Sequence, residues 1–221
     1  RMGNSDCHFG YTGTILRINL SSRSITRETP PESYYRHYLG GRGVVMHTLL
    51  SEVPAHADPL GPENRLIFAT GLLTGYKLIG TPKCSVGAKS PGGTCGESEA
   101  GGSWGPDLKK AGYDGIIFEG IAESPVYLKI YNDDVEIRDA NAFWGQEVRQ
   151  AMEGMIADVG GGKWSSAVIG PGGERQVSFA NIIVDCDRAF GRGGMGAVMG
   201  SKKLKGIIVR GNKPLLAADD E

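Results

Sequence analysis

Between Thr14 and Leu20, apolar Leu16, Ile18 and Leu20 alternate with Arg17 and Asn19, the period-two pattern of a strand with one buried face. After the polar Ser21-Ser22-Arg23 a second extended run, Ser24 to Glu28, completes a predicted β-hairpin. Thr29-Pro30-Pro31 opens a short helical pattern that ends at Gly40-Gly41, and Val44 to Val53 reads as another helix ahead of a proline-rich connection from Pro54 to Pro62. Leu66 to Ala69 and Cys84 to Lys89 read as strands on either side of a loop, Thr70 to Pro82. Val126 to Tyr131 and Val135 to Arg138, joined by Asn132-Asp133-Asp134, form a second predicted hairpin. Val148, Ala151, Met152, Met155, Ile156 and Val159 recur at the spacing of one helical face, which makes the methionine pair core. Ala167 to Gly170 and Gln176 to Val184 complete the strands. Many short strands with few long helices predict an α+β, mainly β fold: two antiparallel β-sheets carrying peripheral helices, rather than the βαβ order of a nucleotide-binding sheet.

A supersecondary unit occurs twice. Gly101-Gly102-Ser103-Trp104-Gly105 leads through Lys109-Lys110 to Gly115-Ile116-Ile117-Phe118-Glu119-Gly120, and Gly193-Gly194-Met195-Gly196 leads through Lys202-Lys203 to Gly206-Ile207-Ile208-Val209-Arg210-Gly211. Each copy reads as a glycine loop, a short helix and an apolar strand, and one residue of slippage aligns them. Two such loops would place backbone N–H groups and helix N-termini where anionic ligand groups can sit, or would only let helix pack closely on strand; the repeat leaves both readings open. Gly191-Arg192-Gly193-Gly194-Met195-Gly196 also fits the dinucleotide pattern G-x-G-x-x-G, a weak signal in so glycine-rich a chain, and no Walker loop is present.

Composition narrows the classes. With 24 basic and 25 acidic residues, net −1, the chain has no electrostatic source for nucleic-acid or anionic-membrane binding, and no apolar run approaches the roughly 20 residues of a membrane span. A soluble, cytoplasmic protein is expected. Glycine accounts for 35 of 221 residues, more than twice the roughly 7% typical, in short clusters that imply tight turns against something bulky and polar. The four cysteines, Cys7, Cys84, Cys95 and Cys186, lack C-x-x-C spacing, so they read as incidental thiols, and His8, His37, His47 and His56 show no ligand spacing. One domain is expected over 10–214, after a disordered lead-in or vector remnant at 1–9 and before a tail or linker toward further domains at 215–221.

Ordered along the chain stand Gly10-Tyr11-Thr12-Gly13-x-Ile15-Leu16-Arg17-Ile18-Asn19-Leu20, Tyr38-Leu39-Gly40-Gly41-Arg42-Gly43, Asp58-Pro59-Leu60-x-Pro62-Glu63-Asn64, Leu73-Thr74-Gly75, Lys89-Ser90-Pro91, Ala111-Gly112-Tyr113-Asp114, Ile169-Gly170-Pro171-x-Gly173-Glu174 and the stretch from Arg188-Ala189 through Met199-Gly200-Ser201-Lys202 to Lys205. In these motifs the chain resembles the N-terminal domain of the tungsten-containing aldehyde ferredoxin oxidoreductase family. The resemblance covers nearly everything from Tyr11 to Pro214.

That resemblance implies two β-sheets related by a pseudo-two-fold axis, forming a base for two pterin dithiolene (molybdopterin) cofactors that chelate one tungsten, or molybdenum, between them. It implies that Lys83 contacts the pterin region and lies toward an iron–sulfur cluster; family members known for an arginine there have a guanidinium fork that lysine lacks. A magnesium ion linking the pterin phosphates is expected on the backbone carbonyls of Glu99 and Ala189, where the Glu99 carboxylate would add a hard oxygen ligand or repel the phosphates. Arg188 and Arg192 are the expected phosphate and pterin contacts, with Arg42 also a candidate, and Gly101, Gly102, Gly191 and Gly193 let the backbone approach. Trp104 borders the pterin cavity or belongs to the core, and Lys109, Lys110, Lys202 and Lys203 read as exposed helix faces. The 4Fe–4S cluster, the acid/base residues and the substrate channel are expected in further domains or a partner subunit. The implied activity is oxidation of a small aldehyde to a carboxylic acid, with electron transfer to ferredoxin and with homo-oligomers compatible. The alternative is a scaffold or assembly domain that kept the fold and lost the cofactor.

Overall fold

The computed structural model describes residues 9–218. The expected lead-in, apart from Phe9, lies outside them, as do Cys7, His8 and residues 219–221.

The first half runs β1 (Ile15–Asn19), β2 (Ser24–Glu28), α1 (Glu32–Tyr38), α2 (Gly41–Glu52), β3 (Leu66–Thr70), β4 (Cys84–Lys89), β5 (Cys95–Ala100), α3 (Trp104–Ala111) and β6 (Gly115–Glu119). The second runs β7 (Val126–Tyr131), β8 (Asp134–Asp139), a 3-10 turn (Asn141–Phe143), α4 (Val148–Asp158), β9 (Ser165–Val168), α5 (Pro171–Glu174), β10 (Ile182–Val184), β11 (Arg188–Phe190), α6 (Met195–Ser201) and β12 (Leu204–Arg210). One six-stranded sheet has the order β2-β1-β6-β3-β4-β5, and the other, read from its far end, has β8-β7-β12-β9-β10-β11. The two orders correspond strand for strand. The repeat visible in the sequence as one loop, helix and strand therefore extends over the whole fold.

Both sheets are mixed, not antiparallel as expected. In each, the first hairpin strand pairs in parallel with the last strand of its half, β1 with β6 and β7 with β12, while the remaining pairs are antiparallel. Short-range alternation carries no information about this pairing, because the partners lie about 80 to 100 residues apart. The run Gln176 to Val184 is also not one strand. Gln176 adopts a left-handed φ of 57° after α5, and only Ile182–Val184 is extended. β5 escaped the hydrophobic pattern because its inward residues, Gly96, Ser98 and Ala100, are small or polar.

Helices α3 and α6 sit between the sheets and touch both. Trp104 on α3 is fully buried, its ring centroid 5.1 Å from Phe68 of one sheet and its indole N–H donating to Ile207 O of the other at 3.3 Å. It is core, and it joins the halves. Val44, Val45 and Leu49 of α2 cover the outer face of the first sheet, and Ala151 and Met155 of α4 cover that of the second. No helix among the described residues is long and apolar enough to cross a membrane.

Lys109 and Lys202 overturn the expectation of exposed helix faces, since both are buried, while Lys110 and Lys203 are half-buried. Nor do the two lysine pairs correspond in space. The left-handed residue that ends each helix is Gly112 in one half and Lys203 in the other, each the same distance before its strand glycine, Gly115 or Gly206. Lys109 Nζ donates to Gly10 O, Gly71 O and Leu72 O at 2.5–2.9 Å, a set of acceptors that matches the three protons of an ammonium. Burial pushes it down to about 8, so it stays charged at neutral pH. Lys202 Nζ reaches across the halves to Asn64 O at 2.7 Å and Gly120 O at 3.0 Å, acceptors that a neutral amine also satisfies. Burial, with Arg65 nearby, pushes it from 10.5 down to about 7.

In the unfolded chain Lys202 keeps its proton to its ordinary 10.5, so between pH 7 and 10 the unfolded state binds more protons than the folded one and stability rises with pH. Denaturant titrations over that window are expected to show this rise, at most about 1.4 kcal/mol per pH unit for one group. The variant Lys202→Met, which removes the titrating amine, is expected to lower the slope, leaving above pH 8 the part that Lys109, pushed down to about 8, contributes.

Candidate functional site

β5 and β11 are the last strands of their sheets, and they abut, so the seam between the halves is lined by two edge strands with backbone groups free of sheet partners. An open basin of about 500 Å³ lies there, lined by Arg42, Lys83, Glu97, Ser98, Glu99, Ala189, Gly191 and Arg192. Arg42 comes from the first turn of α2, Lys83 immediately precedes β4, and Arg192 follows β11, where its backbone N–H donates to Ser98 Oγ at 3.2 Å. The fold thus brings Arg42, Lys83, Glu99, Ala189, Gly191 and Arg192 into one site. Arg188, Gly101, Gly102 and Gly193 do not line the basin but flank it: a Cβ on Gly102 would lie 3.6 Å from the Arg188 side chain, and one on Gly193 would lie 3.3 Å from Gly96 and Glu97.

Strand register relates Glu99 to Ala189. From Gly115 the ladder runs to Ala69, Ser85 and Glu99; from Gly206, its counterpart in the other half, it runs to Val168, Ile183 and Ala189. The two positions are equivalent under the pseudo-two-fold. A ligand with its own approximate two-fold symmetry would meet the same backbone position from each side.

The basin lining carries three cations against two carboxylates. Arg42 Nε lies 3.2 Å from Glu97 and its Nη2 lies 3.5 Å from Glu99, which Lys83 Nζ also approaches at 3.7 Å. Arg42 and Lys83 are 63% and 64% exposed, so these pairs are each worth under about 1 kcal/mol and exchange readily for a ligand's charge. Among the described residues the guanidinium groups of Arg188 and Arg192 make no ion pair, and Glu97 Oε1 is buried without a hydrogen-bond partner. Free guanidinium groups fit phosphate, and an orphaned buried carboxylate oxygen fits a cation or a donor. Nothing lies within 4 Å of a Cβ built on Gly101 or Gly191, which leaves room for a ligand against the backbone. These residues therefore fit a large polyanion with an accompanying cation.

Each helix start has protein acceptors of its own. At α3 the Asp185 carboxylate accepts Ser103 N at 3.1 Å, and at α6 the N–H of Gly196 donates to Ala180 O at 2.9 Å, so the protein takes up one N–H at each helix start itself. Gly194 is a packing glycine, with φ 71° and a Cβ position 2.1 Å from Ser178 O. The G-x-G-x-x-G run follows an antiparallel edge strand, which removes the dinucleotide reading. Sequence reasoning missed Glu97, Ser98 and Asp185. The alternation of charged and small residues in Cys95–Ala100 was the available signal for the first two.

The profile of the family described as "Aldehyde ferredoxin oxidoreductase, N-terminal domain" matches residues 15–211. This chain belongs to that family. It is 47% identical over 212 residues to the tungsten-containing aldehyde ferredoxin oxidoreductase of Pyrococcus abyssi, covering 96% of this chain and 35% of that protein. It is 40% identical to the aliphatic sulfonate oxidoreductase, WOR-like subunit, of Pyrococcus furiosus, covering 94% of this chain and 35% of the relative. Among solved structures, the active-site complex BamBC of benzoyl coenzyme A reductase, in complex with 1,5-dienoyl-CoA, superimposes with a TM-score of 0.92 at 40% identity, over 95% of this chain and 32% of that one. The chain spans about a third of the length of these relatives. As a member of this family it also has the expected pair of sheets with peripheral helices.

The glycines of this family member divide by role. Gly194→Ala is expected to destabilise the chain by more than about 1 kcal/mol, because it adds a Cβ at positive φ against a backbone oxygen. Gly191→Ala, in open space, is expected to leave the thermal midpoint unchanged in the same scanning-calorimetry series.

Proposed function

We propose that this chain is the base for a bis-pterin tungsten cofactor, or its molybdenum equivalent, in an aldehyde oxidoreductase that converts a small aldehyde to a carboxylic acid and passes electrons to ferredoxin. The observation that carries the reading is the convergence of Arg42, Lys83, Glu99, Ala189, Gly191 and Arg192 on one basin at the seam. When bound, the metal and its dithiolenes supply the redox chemistry. The chain's own residues anchor and orient. Arg192, and Arg188 beside the first glycine loop, donate charge-assisted hydrogen bonds to phosphate oxygens, and neither gives up an existing ion pair to do so.

The backbone carbonyls of Glu99 and Ala189 would hold a magnesium ion between the phosphates, with the Glu99 and Glu97 carboxylates as further hard oxygen donors close by. Binding of that cation would release Lys83 and Arg42 from Glu99, leaving both free for the ligand's anionic groups. Lys83, at the basin wall, would lie toward a 4Fe–4S cluster carried by a further domain or a partner subunit. The three described cysteines are free thiols, compatible with a reducing cytoplasm.

The similar proteins are named for aldehydes, an aliphatic sulfonate and a benzoyl thioester, which supports a base that is shared while substrate choice lies in the remaining two-thirds. The double variant Arg188→Ala/Arg192→Ala in the full-length enzyme is the test, read as tungsten and molybdenum content and pterin fluorescence of the purified protein. Loss of two charge-assisted contacts is expected to lower cofactor retention by about tenfold or more. Unchanged cofactor content would overturn the anchoring role of the two arginines, and absence of metal and pterin from the unmodified full-length protein would favour the scaffold reading.

A further inference from the structure

Beneath the first glycine loop, four side chains form a line from Asp107 on α3 to Asp185 in the β10–β11 turn. Ser165 Oγ lies 2.6 Å from Asp107 Oδ2 and 2.7 Å from Ser103 Oγ, and Ser103 Oγ lies 2.8 Å from Asp185 Oδ2. Each of these three links needs one proton, and the two hydroxyls supply two. With both carboxylates ionised, one link would be oxygen facing oxygen with nothing between them.

The position of the missing proton follows from the other contacts. Asp185 accepts Ser103 N on Oδ2 at 3.1 Å and Ser166 N on Oδ1 at 2.8 Å, so both of its oxygens are already acceptors. Asp107 Oδ2 has only Ser165.

We propose that Asp107, Ser165, Ser103 and Asp185 form a proton-sharing chain in which Asp107 is the carboxylic acid and donates to Ser165, Ser165 donates to Ser103, and Ser103 donates to Asp185. The chain joins α3, β9 and the turn before Arg188, and so it ties the two halves together at the edge of the basin. Ser103 is the residue after Gly101-Gly102, and the Asp185 carboxylate is what a Cβ on Gly102 would meet, at 3.3 Å. All four act as positioning residues: with the proton present both loops are fastened, and without it one link of three is lost. Burial favours the neutral acid at Asp107, and Asp185 adds to this, while a hydrogen bond donated by Ser165, Lys110 on the same helix and Lys163 ahead of β9 oppose it. Facing Asp185 are the buried Cys84 thiol of β4 and the neighbouring Cys186, neither of which carries a charge at neutral pH because burial raises both. The inference concerns a proton of this chain and stands apart from the cofactor reading.

Carboxyl carbon NMR of the 221-residue chain, titrated with pH and assigned by loss of one resonance in Asp107→Asn, tests it. Asp107 is expected to titrate well above the ordinary carboxylate range. In Ser103→Ala the Ser165 hydroxyl has no second partner and can donate to an ionised Asp107, so proton affinity there is expected to fall at least tenfold, about one pH unit. Ser103→Thr, which keeps a hydroxyl, is expected to retain the original affinity. Ordinary titration of Asp107 in the unmodified chain, or no shift in Ser103→Ala, would overturn the proposal, the second by leaving burial as the sole cause. If Ser103→Ala does not fold, infrared spectra of the unmodified chain decide: a protonated-carboxyl band at neutral pH that is absent from Asp107→Asn supports the proton, and its absence from the unmodified chain refutes it.

Discussion

Neither six-stranded sheet can bury its inner face alone, and each half offers only one helix, α3 or α6, to fill the space between. Trp104 makes the dependence concrete, since one side of its ring meets Phe68 and its N–H is satisfied only by Ile207 O on the opposite sheet. A buried indole N–H without that partner would cost about 1–3 kcal/mol. Once the halves are pressed together in this way, the edge strands β5 and β11 have no freedom in where they lie.

The basin is a consequence of that seam. Edge strands retain backbone groups that no sheet partner uses, and here two such edges meet around a symmetric pair of positions, Glu99 and Ala189. The charges around them are held in weak, exposed pairs, which makes the lining a set of groups that a polyanion can rearrange at little cost. A rigid core beneath and exchangeable ion pairs above suit a platform that holds a large group without contributing reacting side chains. The same domain occurs in proteins named for three different substrates.

Buried polar contacts then fix the halves relative to one another. Lys202 reaches from the end of α6 to carbonyls of the first half, and Asp185 reaches from the second half to the start of α3. Lys205 and Glu174 form a buried ion pair within the second half that links β12 to α5. Each of these groups is satisfied by partners that only the assembled fold provides, so a shift of one half against the other would leave a buried donor or acceptor unmet.

The sequence alone determined the local elements: alternation in Thr14 to Leu20 and in Val126 to Arg138 specified hairpins, and the helical face from Val148 to Val159 specified α4. These are readable because each element buries one face, and burial imposes its period on neighbouring residues. The doubled Gly-Ile-Ile ending disclosed the internal repeat, and the family resemblance pointed to Arg42, Lys83, Glu99, Ala189, Gly191 and Arg192 of the basin but not to Glu97 or Ser98. Only the tertiary structure decided that each sheet contains a parallel pair, that β5 is a strand at all, and that Lys109 and Lys202 are interior. A lysine reads as a solvated face because its charge is costly to bury, yet carbonyls from Gly10, Gly71 and Leu72, or from Asn64 and Gly120, offset part of that cost. Those partners come from segments far apart in the chain, and no local pattern can report which distant backbone oxygen a side chain will meet.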